Sequence, residues 1–288
     1  MLGKLLKHEW KGTCKVGGLI LILLAGITFF GWLAFQSPMW NEMAGDSIEY
    51  NMAFSILDLM SIFTLFAYMF LLLGAVVGIM IYLAVHFYQT MYTDEGYLLH
   101  TLPVTKGRLL FSKVFIGGLW MLIILIGVYT SMVALISFMM GRLLAPEGYT
   151  VWGIWELFFG ELGEAILMME KELNFKGTVY LVYTILTMLS SPFITMIVVF
   201  GAISMGQLFT KHRVLMAIVC YGGVLLANGL VKSIVEAIIA TLYDFSSFEK
   251  VMSFFDRNLI SGTILSVLFA AVMYFVSYYV NTRKLNME

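Results

Sequence analysis

The placing of the charges constrains this chain more than any other feature. Six stretches carry no Lys, Arg, Asp or Glu. They run between Lys15 and Glu42, Asp58 and His86, Lys113 and Arg142, Lys176 and Lys211, Arg213 and Lys232, and Arg257 and Arg283. A helix crosses the hydrocarbon core of a bilayer with ~20 apolar residues, each rising ~1.5 Å. One such helix fits in each interval, at about residues 16–36, 59–85, 114–140, 178–207, 214–231 and 259–281. Strands of a membrane barrel alternate apolar and polar residues over ~10 positions, and these runs do not. The expected fold is all-α: a polytopic membrane protein with about six transmembrane helices, forming one membrane domain over residues 1–288.

Composition points the same way. Hydrophobic residues make up 61% of the chain and charged ones 12%, against ~25% charge in a soluble domain. Most of the surface must then face lipid. The net charge of −1 comes with no basic patch that could hold a phosphate backbone, so nucleic acid is not an expected partner. Cys14 and Cys220 have neither metal-ligand spacing nor the density of a disulfide framework. The lysines before the first apolar stretch look like the start of a signal peptide. The uncharged run from Val16 to Asn41 is longer than a signal core of ~7–15 residues, and it reads as a retained span.

Orientation follows from Lys and Arg in the loops. Eleven lie on the side of the termini: Lys4, Lys7, Lys11, Lys15, Lys106, Arg108, Lys113, Lys211, Arg213, Arg283 and Lys284. Six lie on the other side, together with most of the carboxylates. Both termini are therefore expected in the cytosol. His8, His86, His100 and His212 fall on that side too and read as ordinary surface histidines.

Three extramembrane regions carry further information. Leu2, Leu5, Leu6 and Trp10 share one helical face while Lys4, Lys7 and Lys11 lie on another. That pattern predicts an amphipathic N-terminal interfacial helix in the cytosolic headgroup layer. Between spans 2 and 3, Thr93 or Asp94 can cap a short helix, Asp94 to Leu102, which Pro103 ends. Thr105 can then cap span 3. On the outer side, residues 142–176 intersperse acids with aromatics and predict an amphipathic helix on the headgroup plane. Residues 232–257 mix Ile, Leu and Phe with Glu236, Asp244, Glu249 and Asp256, and are expected to dip into the outer interface without crossing.

Pro192 is the only proline inside a span, and it follows Ser190 and Ser191. Proline removes one helix hydrogen bond and crowds the preceding turn. In lipid the freed carbonyl needs another donor, and a neighbouring serine can supply it. A kinked or broken span 4 is expected. Asp58 reads as an interfacial residue at the outer end of span 2.

Several chemistries have no sequence support. The chain contains no G-x-x-x-x-G-K-[ST], no H-E-x-x-H and no G-x-S-x-G, the signatures of phosphate-loop nucleotide binding, zinc hydrolysis and the nucleophile elbow. No ionisable pair stands inside a span, which argues against an intramembrane protease or a proton relay. No catalytic residue, cofactor site or metal site is expected.

Two stretches, MLGKLLKHEWKGT at the start and DEGYLLHTLPVTKGRLLFSK in the first cytosolic loop, resemble the permeases of the ABC type-2 (ABC-2) family from Gram-positive bacteria. The layout of the whole chain resembles that family as well. The resemblance implies the membrane subunit of an ATP-driven exporter in a bacterial plasma membrane. It implies a separate ATP-binding subunit that binds the ATP, and a second permease copy or a sister permease. It also implies that the short loop helix couples to the ATPase, through Asp94, Glu95, Tyr97, Leu98, His100 and Leu102. The long external segment 142–176 departs from the family's commonest pattern. The rival readings are a secondary transporter or channel, and a membrane-embedded enzyme. The orientation is checked by single-cysteine labelling after replacing Cys14 and Cys220. A cysteine at Asp46 is expected to react with an impermeant reagent from outside, and one at Asn286 only after the membrane is opened.

Overall fold

The computed structural model describes residues 2–37, 40, 56–93, 96, 104–144, 150–172, 177–209, 211–241 and 248–283. Among these there are seven helices and no strand: α1 (Leu2–Ala34), α2 (Ile56–Tyr92), α3 (Lys106–Leu143), α4 (Val151–Glu172), α5 (Gly177–Gly206), α6 (Arg213–Thr241) and α7 (Phe248–Arg283). All but α4 are long and apolar enough to cross a bilayer. The chain is a multi-pass α-helical membrane protein. Six crossings put both ends on one side, called here the terminal side.

The helices outrun the uncharged stretches, because a charged residue is a poor membrane resident but a good helix former. Helix α2 has 37 residues and α3 has 38, or ~55 Å each at ~1.5 Å per residue, well beyond a ~30 Å core. The amphipathic segment 2–15 is not a helix of its own; it is the first part of the 33-residue α1. Helix α6 likewise runs through Lys232 and Glu236 to Thr241. Residues 232–257, expected to dip into the outer interface, fall in the end of α6 and the start of α7, with 242–247 outside the described residues.

The chain divides into two compact units. One consists of Met1–Thr13, Met80–Leu122 and Leu167–Glu288. Here α5, α6 and α7 pack on one another through small residues that let backbones approach. A methyl group on Gly201 would sit 2.8 Å from Met273 Cβ, and one on Gly206 2.6 Å from the backbone of Ala217. Without a hydrophobic force between helices in lipid, such close packing is what holds them. Phe193, Met196 and Phe200 of α5 fill the space that Gly117 and Gly118 leave on α3. Phe200 stacks on Phe87 of α2 with centroids 4.1 Å apart.

The other unit consists of Cys14–Ile79 and Ile123–Ile166. Its interior polar contacts are mostly hydroxyls. Ser131 Oγ lies 2.6 Å from Thr28 Oγ1 and 2.8 Å from Tyr68 Oη. Asp58 is buried and accepts a hydrogen bond from the Ser37 hydroxyl, so it is a packed group rather than an open interfacial one. Helix α4 forms where the acid-and-aromatic pattern predicts a helix. Thr150 caps it, accepting from the Gly153 N–H at 3.1 Å, and Trp155 Nε1 donates to Ser137 Oγ of α3 at 2.9 Å.

Helix α5 continues through Pro192 without a break. The carbonyl that proline deprives of its donor belongs to Met188, four residues earlier. The Ser191 hydroxyl donates to it at 3.2 Å, and Ser190 donates to the Thr187 carbonyl at 3.1 Å. This makes the two residues interdependent. S191A is expected to lower the thermal midpoint of the purified protein, because it orphans a carbonyl worth ~1 kcal/mol of hydrogen bonding. In the P192A background the backbone N–H returns and the same serine change is expected to cost less. Equal losses in the two backgrounds would show that the hydroxyl does not replace the missing bond.

Candidate functional site

The coupling residues expected from the sequence, Asp94, Glu95, Tyr97, Leu98, His100 and Leu102, lie outside the described residues. What the structure describes is the base on which their loop stands. The loop leaves α2 at Tyr92 and enters α3 at Lys106. It begins with a turn in which the Gly96 N–H donates to the Thr93 carbonyl at 2.8 Å. Any side chain at Gly96 would meet the Met91 carbonyl oxygen at 2.6 Å, so this turn requires glycine. At the other end the Thr105 carbonyl accepts from the Arg108 and Leu109 N–H groups, at 2.9 and 3.2 Å, and starts α3.

A buried charge cluster fixes both stems to α1. Lys113 of α3 points its ammonium at Glu9 Oε1, 2.7 Å away, and donates to Thr90 Oγ1 of α2 at 2.6 Å. The other carboxylate oxygen, Glu9 Oε2, lies 3.4 Å from His86 Nε2 of α2. Glu9 and Lys113 are each 4% exposed. At that burial each ion loses several kcal/mol of hydration, and only the close opposite charge with its extra hydrogen bonds offsets the loss. Thr90 is itself anchored, donating to the His86 carbonyl at 2.6 Å. Beside the cluster Trp10 stacks on Trp120, with centroids 4.6 Å apart and planes 19° apart.

A second network joins the same stems to α5 and α7. Tyr92, the last residue of α2, donates to Ser204 Oγ of α5 at 2.8 Å. Ser204 lies 2.7 Å from Ser277 Oγ of α7. Lys106, the first residue of α3, donates to the Asn281 carbonyl of α7 at 2.9 Å. Ser204, Ser277 and Asn281 are all buried. The ends of α2 and α3 are thus tied to α1 on one hand and to α5 and α7 on the other.

This arrangement holds the two stems in a fixed register. Among the described residues no group of three His, Cys, Asp or Glu could hold a metal ion. Ser190, Ser191 and Pro192 lie elsewhere, in the middle of α5. Sequence reasoning passed over Glu9, His86 and Lys113, and treated His86 as a surface histidine. A signal was present for Glu9. Leu2, Leu5, Leu6, Glu9, Trp10 and Thr13 share one face at helical spacing, so Glu9 is an acid on an apolar face of a lysine-rich segment. Such a residue needs a cation on another element.

No protein-family model, no curated protein and no solved structure matches the chain.

Removing one member of the pair strands the other. E9A is expected to destabilise the protein by ~3–5 kcal/mol, since it leaves the Lys113 ammonium buried without its counter-charge. The double variant E9L/K113M, apolar and of similar volume, is expected to recover most of the loss. Thermal unfolding of E9L, K113M and the double, in one detergent, checks this; additive losses would show that the charges do not depend on each other.

Proposed function

We propose that the chain is the permease subunit of an ATP-driven ABC-2 exporter, coupled through its first terminal-side loop to a separate ATP-binding subunit. The observation that carries this reading is the double anchoring of that loop. A loop between two spans needs no buried charge cluster beneath it if it only connects them. A loop that passes force needs stems that move as one body with the helices they drive. Here Lys113 and His86 bind the stems to α1 through Glu9, Thr90 joins the two stems through Lys113, and Tyr92 and Lys106 bind them to α5 and α7.

The length of α2 and α3 supports the same reading. Their surplus over a bilayer core of ~30 Å lets the loop stand clear of the lipid, where a soluble partner can reach it. The Tyr97 and Leu98 face then supplies the contact, and Asp94, Glu95, His100 and Leu102 flank it. ATP binds to the partner, and a second permease copy or a sister permease completes the path in a bacterial plasma membrane, with the Lys- and Arg-rich side in the cytosol.

The test is co-purification with the proteins encoded beside this chain, among which an ATP-binding subunit is expected. Wild-type permease is expected to retain it. Y97D/L98D is expected to lose it while still inserting, because each substitution puts an unpaired carboxylate into an apolar contact. Equal recovery with both permeases would remove the coupling assignment, and no recovery with either would favour the secondary-transporter reading.

A further inference from the structure

A polar cavity lies among α5, α6 and α7, and none of the loop-stem residues named above lines it. Its volume is ≈510 Å³. Three helix faces line it over several turns, and its polar side chains include Ser190, Ser191, Thr195, Asn228, Lys232 and Asn258. Most of its hydroxyls donate to carbonyls of their own helices, as Ser190, Ser191, Thr195 and Ser266 do. They therefore turn acceptor lone pairs outward. Asn228 Oδ1 and Asn258 Oδ1 are buried, and neither has a hydrogen-bond partner among the described residues. Buried polar atoms rarely stay unpaired without a reason, since each costs ~1–3 kcal/mol. Lys232 and Glu236, both on the cavity wall, make no salt bridge among the described residues.

These groups follow a definite order along α6. Asn228, Lys232 and Glu236 succeed one another at intervals of four residues, about one helical turn or ~6 Å. Glu236 is nearest the outer end of the helix. From the membrane interior outward, the wall presents an acceptor, a cation and an anion. Asn258 adds a second acceptor from α7.

The inner end of the cavity has a different character. Tyr221 lines it and also lines a second cavity of ≈690 Å³ between α2, α5 and α6, whose other lining residues, such as Met80, Ile81, Val85, Val199 and Ile218, are mostly apolar. Polar and apolar chambers thus meet at one side chain.

We propose that the two chambers together bind a single-chain zwitterionic amphiphile, a monoacyl aminophospholipid in its chemistry. The acyl chain lies past Tyr221 in the apolar chamber. The glycerol hydroxyl donates to Asn228 Oδ1, the phosphate pairs with Lys232, and the primary ammonium donates to Asn258 Oδ1 and faces Glu236. Each polar group of the head then meets a complementary group in the order the helix presents them. This site requires no ATPase, so it stands or falls apart from the exporter reading.

The test uses the full chain purified in a nonionic detergent and titrated with lysophosphatidylethanolamine, lysophosphatidylcholine and lysophosphatidylglycerol of one chain length. Bound lipid is counted by native mass spectrometry. The ethanolamine lipid is expected to bind tightest. The choline lipid keeps the charge but has no N–H donor, and the glycerol lipid lacks the cation. Each is expected to bind ~3–10-fold more weakly, the worth of one lost polar contact. K232Q is expected to weaken all three, whereas N258L is expected to abolish the preference for ethanolamine over choline. Equal binding of the three lipids would overturn the proposal, as would a preference untouched by K232Q and N258L in variants with wild-type thermal midpoints.

Discussion

The terminal side of this protein depends on one ion pair. Lys113 stands almost wholly buried at the first turns of α3, and nothing in an apolar setting tolerates an ammonium except an opposing charge at contact distance. Glu9 supplies it at 2.7 Å. Because Glu9 sits on α1 and Thr90 and His86 on α2, satisfying one cation fixes three helices relative to one another at that level. A purely apolar contact would let them slide, since one apolar side chain replaces another at small cost. A charge pair has a single good register. The fold thus obtains from two ionised groups a specificity that its many leucines and phenylalanines do not provide.

That pair also explains why the N-terminal segment differs from its sequence pattern. Read alone, residues 2–15 are a lysine-studded amphipathic helix with Trp10 as an interfacial anchor. Two features redirect that face to protein. Glu9 on the apolar face would have no fixed cation in a headgroup layer, while Lys113 offers it one at 2.7 Å. Trp10 gains a stacked neighbour in Trp120, and aromatic stacking adds to the area buried. The lysines keep their place on the opposite face. The periodicity was legible; the surface that would cover the apolar face was not, because it is assembled from α2 and α3, more than seventy residues away in sequence.

Legibility divides along the same line elsewhere. Uncharged runs are set by the cost of carrying an ion into hydrocarbon, a local property, and so the number and order of the spans could be read directly. Helix ends depend on what lies beyond the lipid. Lys232 and Glu236 looked like the end of a span, yet α6 continues past them because neither residue opposes helix formation and α5 and α7 flank them. Pro192 shows the intermediate case. The need for a substitute donor follows from the residue type alone, and the Ser191 hydroxyl does reach the Met188 carbonyl. Whether the helix would break there depended on its neighbours, and buried Pro192 lies in a continuous α5.

The polar groups of the interior are also graded by type. The buried ion pair stands near the ends of spans, at Glu9 and Lys113, where charged atoms need the least displacement to meet water or headgroups. Within spans the buried contacts are between hydroxyls, as in Ser131 with Thr28 and Tyr68, or Ser204 with Ser277. A hydroxyl can donate to its own helix's carbonyl while it meets another helix, as Thr28 and Ser204 do, so it keeps a partner if helices shift. An ammonium has no such fallback. Helices joined by hydroxyls can therefore rearrange at a cost of single hydrogen bonds, while those joined at Glu9 and Lys113 must move together. The proposed transmission of motion from one loop into several spans would call for both kinds of joint: rigid where the loop is rooted, and yielding along the helices.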